Sequence, residues 1–217
     1  MPVTELGHTG VVFLLRLALP DRPGSLGAVA TAMGTVGADI NAVEIVEKYE
    51  GYAVDDFMVE LPSGVPADSL VTACTSVPGV EMLWLSHYPE RWGLQADVDV
   101  LNHMTENPGR AEEILTLESP QVFRVTWAAL IDRDARQLKM KTDLAPDLDE
   151  AGVAVLGPLH EVRSDELPHE WLPGWTDTLI AVAPFRGSTS IVLARRGGPE
   201  FLPSELARLG HLAALAT

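Results

Sequence analysis

The chain has 217 residues, 47% of them hydrophobic, and a formal net charge of −16 from 15 basic and 31 acidic side chains. That balance excludes the basic surface that nucleic acid or an anionic membrane requires, and no Lys/Arg run interrupts it. The single cysteine, Cys74, excludes an intramolecular disulfide and any multi-cysteine metal site. Cys74 falls in a helical pattern with Leu70, Val71 and Val77, as a buried structural thiol does. No basic segment precedes the first apolar run, and no apolar stretch reaches the ~20 residues of a membrane span. The expectation is a cytoplasmic chain of one large or two small domains.

Taken in order, residues 11–19 form an apolar strand that Pro20 stops. A tight corner follows, Asp21-Arg22-Pro23-Gly24-Ser25-Leu26. Leu26, Val29, Ala30 and Met33 then recur at helical spacing, on one face of a helix that Ser25 can cap. Residues 40–46 alternate, with Ile40, Ala42 and Glu44 on one face and Asn41, Val43 and Ile45 on the other. A hairpin turn at residues 48–51 leads to a second strand, 52–61, which ends at Pro62. Residues 67–77 read as a helix and 80–88 as a last strand. The order βαββαβ predicts an antiparallel sheet with both helices on one face.

The D-x-P-G corner, the helix after it, and Gly37-Ala38-Asp39-Ile40-Asn41 together resemble the ACT domain of amino-acid-regulated proteins. The resemblance implies a ferredoxin-like βαββαβ fold, a homodimer, and a small-molecule effector, an amino acid, held by Asp21, Arg22, Pro23, Gly24, Ser25, Leu26 and Asn41. It assigns the effector's carboxylate to the backbone N–H groups of Ser25 and Leu26, and its amino group to Asn41 or Asp21. The residues by themselves allow a plainer reading, in which the corner is only a turn and Asn41 a solvated strand residue.

The segment 89–93 reads as a boundary, which places an ACT domain at 1–92 and a second domain at 93–217, with the acidic excess spread over both. In the second half, helices are expected at 94–104 and at 110–117, the latter stopped by Ser119-Pro120. A strand is expected at 122–131, turned by residues 132–135 into a return at 137–141. Residues 143–173 read as loop or short helix. A hairpin, 178–184 and 190–195, and a closing helix marked by Leu206, Leu209, Ala213 and Ala216 end the chain. The hairpin, Gly187, Phe201 and the helix from Glu205 resemble a GAF-type sensor domain. This implies an α/β fold with a central antiparallel sheet and a small-molecule pocket under loops, so the whole chain is expected to be α+β.

His160, Glu161, Asp165, Glu166, His169 and Glu170 cluster in sequence, but without metal-ligand spacing, and a solvated acidic loop is the simpler reading. Trp171 and Trp175 either line a pocket there or anchor the loop. No phosphate-binding glycine motif, nucleophile elbow or basic recognition helix occurs, so no catalytic residue, cofactor or metal is expected. The sequence points to a non-enzymatic regulatory protein that binds a small effector. The alternative is an enzyme, or an enzyme's regulatory subunit, with the second half as its catalytic or docking surface.

Overall fold

A computed structural model describes residues 10–87, 95–169, 171 and 177–216. The protein is α+β, with two antiparallel sheets, and the chain divides into two compact units, Met1–Glu90 and Arg91–Thr217. The segment 89–93, read from sequence as the boundary, lies outside the described residues, as do Trp175 and Glu170.

The first unit runs β1 (Val11–Pro20), α1 (Ser25–Thr35), β2 (Asp39–Tyr49), β3 (Tyr52–Leu61), α2 (Ala67–Thr75), β4 (Glu81–His87). Its sheet has the order β2-β3-β1-β4. Alternation along β1 sends Phe13, Leu15, Leu17 and Leu19 toward a core completed by Phe57, Val59 and Leu61 of β3, Val29 and Met33 of α1, and Leu70 and Cys74 of α2. Each such aliphatic side chain contributes about 1.5–3 kcal/mol by leaving water. Burial pushes the Cys74 thiol up to about 11, which leaves it inert at neutral pH.

Three sequence expectations need correction here. Leu26 does not join Val29 and Met33 in the core; it is 40% exposed at the start of α1. The strict alternation assigned to β2 fails at Asn41, where the pairing with β3 jumps from Ile40↔Val59 to Ala42↔Met58. Asn41 is the extra residue of a β-bulge, so Ile40 comes onto the same face as Val43 and Ile45. The strand also continues to Tyr49, pairing with Tyr52 across a two-residue turn.

On the sheet face away from the core, Arg16 and Asp56 are direct cross-strand partners. They form a bidentate pair, Arg16 Nε donating to Asp56 Oδ1 at 2.7 Å and Nη2 to Oδ2 at 2.9 Å. Both side chains are buried, at 2% and 0% exposure.

The second unit contains α3 (Gln95–Glu106), α4 (Ala111–Val122), β5 (Trp127–Asp132), β6 (Gln137–Lys141), α5 (Glu150–Val155), β7 (Arg163–Leu167), β8 (Thr178–Pro184), β9 (Thr189–Arg196) and α6 (Pro203–Leu215). The sheet order is β6-β5-β9-β8-β7. Alternation divides its apolar residues between two cores. Ala128, Leu130, Ile191 and Leu193 pack with α3, α4 and α6; Trp127, Ala129, Ile131, Val192 and Ala194 pack with α5 and its flanking loops.

Pro120 does not stop α4, which carries it in its last turn, where one missing N–H costs a single helical bond. The strand expected from residue 122 therefore starts only at Trp127, after Arg124 turns the chain in a left-handed conformation at φ 54°. The segment 143–173 holds a strand, β7, that its polar sequence concealed. Paired only with β8, it is an edge strand and buries little beyond Leu167. A buried pair, Arg195 with Glu205 at 2.6 Å, joins β9 to α6, and the same guanidinium donates to the Phe123 carbonyl at 2.9 Å behind α4.

Replacing Asp56 by Ala leaves a buried guanidinium without its bidentate carboxylate, and the expected loss is about 3–5 kcal/mol. The apolar double substitution Arg16→Met with Asp56→Leu should recover most of that loss. Denaturant unfolding of the three proteins checks both.

Candidate functional site

The corner between β1 and α1 builds a cleft of about 350 Å³, within the range of small-molecule sites. Its floor is the core-side face of the sheet: Leu19 from β1, Ile45 and Lys48 from β2, Ala53 and Asp55 from β3. Its rim is Asp21, Arg22, Pro23, Gly24, Ser25 and Leu26. Six of the seven residues that sequence reasoning selected thus meet around one cavity. Asn41 does not line it. It is exposed on β2, four residues from Ile45 of the cleft floor, which is roughly 13 Å along a strand.

The backbone of the corner explains its open end. Pro20 closes β1, and Asp21 and Arg22 N–H groups donate to Gly51 and Pro20 carbonyls at 3.1 and 2.9 Å. Gly24 sits at φ 94°, a left-handed position that strains any residue with a Cβ. It is the N-cap of α1, and no side chain caps the helix. Ser25 is therefore the first helical residue and does not cap, contrary to the sequence reading. Its N–H is also spent, donating to the Arg22 carbonyl at 3.2 Å. The N–H groups of Leu26 and Gly27 have no acceptor among the described residues. These groups and the positive end of the α1 dipole suit an anion. Arg22, exposed on the rim, has no ion-pair partner among the described residues.

Asp55 supplies the opposite polarity. It is 1% exposed, and its Oδ1 is buried with no hydrogen-bond partner among the described residues. Burial pushes its carboxyl up to about 6; Lys48 opposes this, and Asp56 and Asp21 add to it. Lys48 itself is held at the rim by Asp21, at 3.0 and 3.3 Å from its two oxygens. Sequence reasoning missed Asp55. The signal available was the pair Asp55-Asp56 inside a strand otherwise built from Ala53, Val54, Phe57, Met58 and Val59. Alternation sends the two carboxylates to opposite faces of a buried strand, and each then needs a partner.

The second unit offers less. A cleft beside α5 is lined by Arg133, Arg136, Gly157, Leu159 and His160. Arg133, however, is committed to the β8–β9 turn, donating to the Thr189 and Gly187 carbonyls and to Ser190 Oγ at 2.9 Å. The His/Asp/Glu cluster does not converge. Asp165 pairs with Arg163 at 3.0 Å and His169 with Asp177 at 2.9 Å, while Glu166 follows Asp165 on the strand and faces the other way. Among the described residues no group of such side chains is arranged to hold a metal ion. Trp171 lies 6.2 Å from Trp127, ring to ring, and anchors its loop to the core.

No helix among the described residues is long and apolar enough to cross a membrane. No family model and no curated protein matches the sequence. Solved structures similar to parts of it include the GAF domain of a sensor histidine kinase from Pseudomonas syringae pv. tomato, 14% identical over 57% of this chain and 81% of that one, with a TM-score of 0.37. Others are the ACT domain of a GTP pyrophosphokinase from Chlorobium tepidum (16% identity, 37% and 100% coverage, TM-score 0.28) and an unknown protein from Galdieria sulphuraria (14%, 86% and 81%, TM-score 0.33).

The buried carboxylate of Asp55 carries a cost that pH reveals. Its folded value, about 6, lies above the ~3.9 of an unfolded chain, so the folded state binds the extra proton between these limits. Stability should therefore fall as pH rises from about 4 to about 6 and stay low above that. Asp55→Asn should remove this slope and stabilise the protein at pH 7.5 by about 1–3 kcal/mol, measured by denaturant titration across the range.

Proposed function

We propose that the first unit is an effector-binding module whose site is the cleft at the β1–α1 corner, and that the chain is a regulatory protein rather than an enzyme. The effector class is a small organic acid carrying an amino group. The observation that carries this reading is the pairing of opposite polarities around one cavity. The uncapped start of α1 and Arg22 present positive charge to it, and a buried, unpartnered Asp55 presents negative charge. A corner that served only as a turn has no use for that carboxylate, which weakens the fold.

The carboxylate assignment keeps the Leu26 N–H of the sequence reading, replaces the Ser25 N–H by that of Gly27, and adds Arg22. Asp21, already bound to Lys48, shapes the rim. The module pairs as a homodimer through its first sheet. The support is β2, an edge strand with Val43 and Ile45 exposed at 43% and 50%.

Isothermal titration against the common amino acids tests the first claim, and no heat from any of them removes it. A Cβ at Gly24 meets nothing within 4 Å, so a side chain there projects into open space at the cleft. Gly24→Val should cost about 1–3 kcal/mol of stability through backbone strain and weaken effector binding at least tenfold. Unchanged affinity in the folded variant would make the corner a turn only. For the dimer, light scattering at micromolar concentration should give twice the chain mass, and Ile45→Asp should give the monomer mass. A monomer from the unsubstituted protein removes the dimer.

A further inference from the structure

We propose that Lys48 is a two-position latch: its ammonium bridges to Asp21 at the corner while Asp55 is protonated, and moves to Asp55 when that carboxyl ionises. The device belongs to the first unit itself and needs no ligand in the cleft, so its test stands apart from any titration with an effector.

Three charged groups share one cavity, with Asp21 on its rim and Lys48 and Asp55 on its floor. The pairing of β2 with β3 sets Ile45 opposite Asp55 and Lys48 opposite Ala53. The shift of register between Ile45 and Glu47 keeps Ile45 and Lys48 on the same face. Lys48 is therefore the diagonal neighbour of Asp55, a separation of about 7–8 Å that its flexible four-carbon stem spans. From the same backbone position its ammonium reaches the other way, to Asp21 Oδ1 and Oδ2 at 3.0 and 3.3 Å. The corner is held by the Asp21 N–H, which donates to the Gly51 carbonyl at 3.1 Å. A change of lysine rotamer is all that the transfer requires.

The two carboxylates hold the lysine on unequal terms. The Lys48 and Asp21 side chains are 54% and 39% exposed, so water competes with their pair. Asp55 is 1% exposed, and its Oδ1 is closed to water with no hydrogen-bond partner among the described residues. Protonated, such a group is tolerated; ionised, it needs a counter-charge. An oxygen closed to solvent takes that charge from a side chain already in the wall, and Lys48 is the cation on the floor beside it. An exposed pair is exchanged for a buried one, and the carboxylate left over is that of Asp21, where solvent reaches it.

The groups facing Asp55 are Leu17 from β1, Ile45 and Lys48 from β2, and Asp21 and Arg22 from the corner. Its neighbour Asp56 points to the other face, where Arg16 holds it. No residue of α1 is ionisable. Burial raises the Asp55 carboxyl to about 6, with Lys48 opposing and Asp56 and Asp21 adding. Below that pH the Lys48–Asp21 bridge ties the corner to β2 across the cleft. Above it the bridge is broken and the rim is open on that side.

Carbon-detected NMR of the full chain, with labelled Asp and Lys, follows the Asp55 and Asp21 carboxyl carbons and the Lys48 Cε–Hε signal from pH 4.5 to 8. The Lys48 and Asp21 signals should each inflect at the midpoint of Asp55. Asp55→Asn should abolish both inflections. Lys48→Gln should raise the Asp55 midpoint by about one pH unit or more, as loss of a close opposite charge does. Asp21→Asn should lower it, and by much less when Lys48→Gln is also present, because no lysine remains to be released. A Lys48 signal that stays flat through the Asp55 midpoint overturns the latch. So does an inflection that survives in Asp55→Asn, or an Asp21→Asn effect of equal size in both backgrounds, because repulsion between fixed charges then suffices. Absence of any Asp55 titration between pH 4.5 and 8 in the folded protein overturns it as well.

Discussion

The register between β1 and β3 seats the bidentate Arg16–Asp56 pair on one face and the apolar core on the other, and the cleft depends on that register. A one-residue slip between β1 and β3 would turn Asp56 toward the core and Phe57 and Val59 away from it. With Asp56 fixed on one face, alternation places Asp55 on the other, under the start of α1. The same geometry brings Leu19 and Ala53 together beneath the corner. The two adjacent carboxylates thus have opposite fates: one is neutralised by a partner strand, and one is left to the cavity.

Contrast among helix starts sharpens the picture of the corner. Asp149 caps α5 by accepting from the Gly152 N–H at 2.8 Å. At the start of α6, the Leu202 N–H donates to Glu205 Oε2 at 2.9 Å. Both starts satisfy a free donor with the chain's own carboxylate. The start of α1 does not, because Gly24 in its left-handed conformation brings no side chain, and the nearby carboxylate of Asp21 is turned to Lys48. Positive potential is left facing the cleft, where the edge strand β2 contributes only the side chains of Ile45 and Lys48.

The second unit follows a different economy. Its sheet is covered on both faces, so nearly every residue of β5, β8 and β9 is buried. Charges inside it are spent on structure. Arg195 gathers Glu205 and the carbonyls of Phe123 and Arg124 while its guanidinium lies 4.2 Å from the Phe201 ring. Arg133 ties the β8–β9 turn. Both guanidinium groups are held by the chain's own acceptors.

Sequence alone determined the order of elements in the first unit, because Pro20, Pro62 and the apolar periods of β1, β3 and α1 are local signals. It also determined that a chemically distinctive corner sits between β1 and α1. It could not place what depends on partners remote in the chain. The bulge at Asn41 arises from pairing with β3, and nothing in the residues of β2 marks it. The edge strand β7 is held by β8, and its own residues give no hydrophobic alternation. Pro120 is tolerated in α4 because packing of Leu115, Ser119 and Val122 outweighs one lost hydrogen bond. Asp55 acquires its character only when β1, β2 and α1 close over it. Desolvation is a property of the assembled surroundings, and no single stretch of sequence contains it.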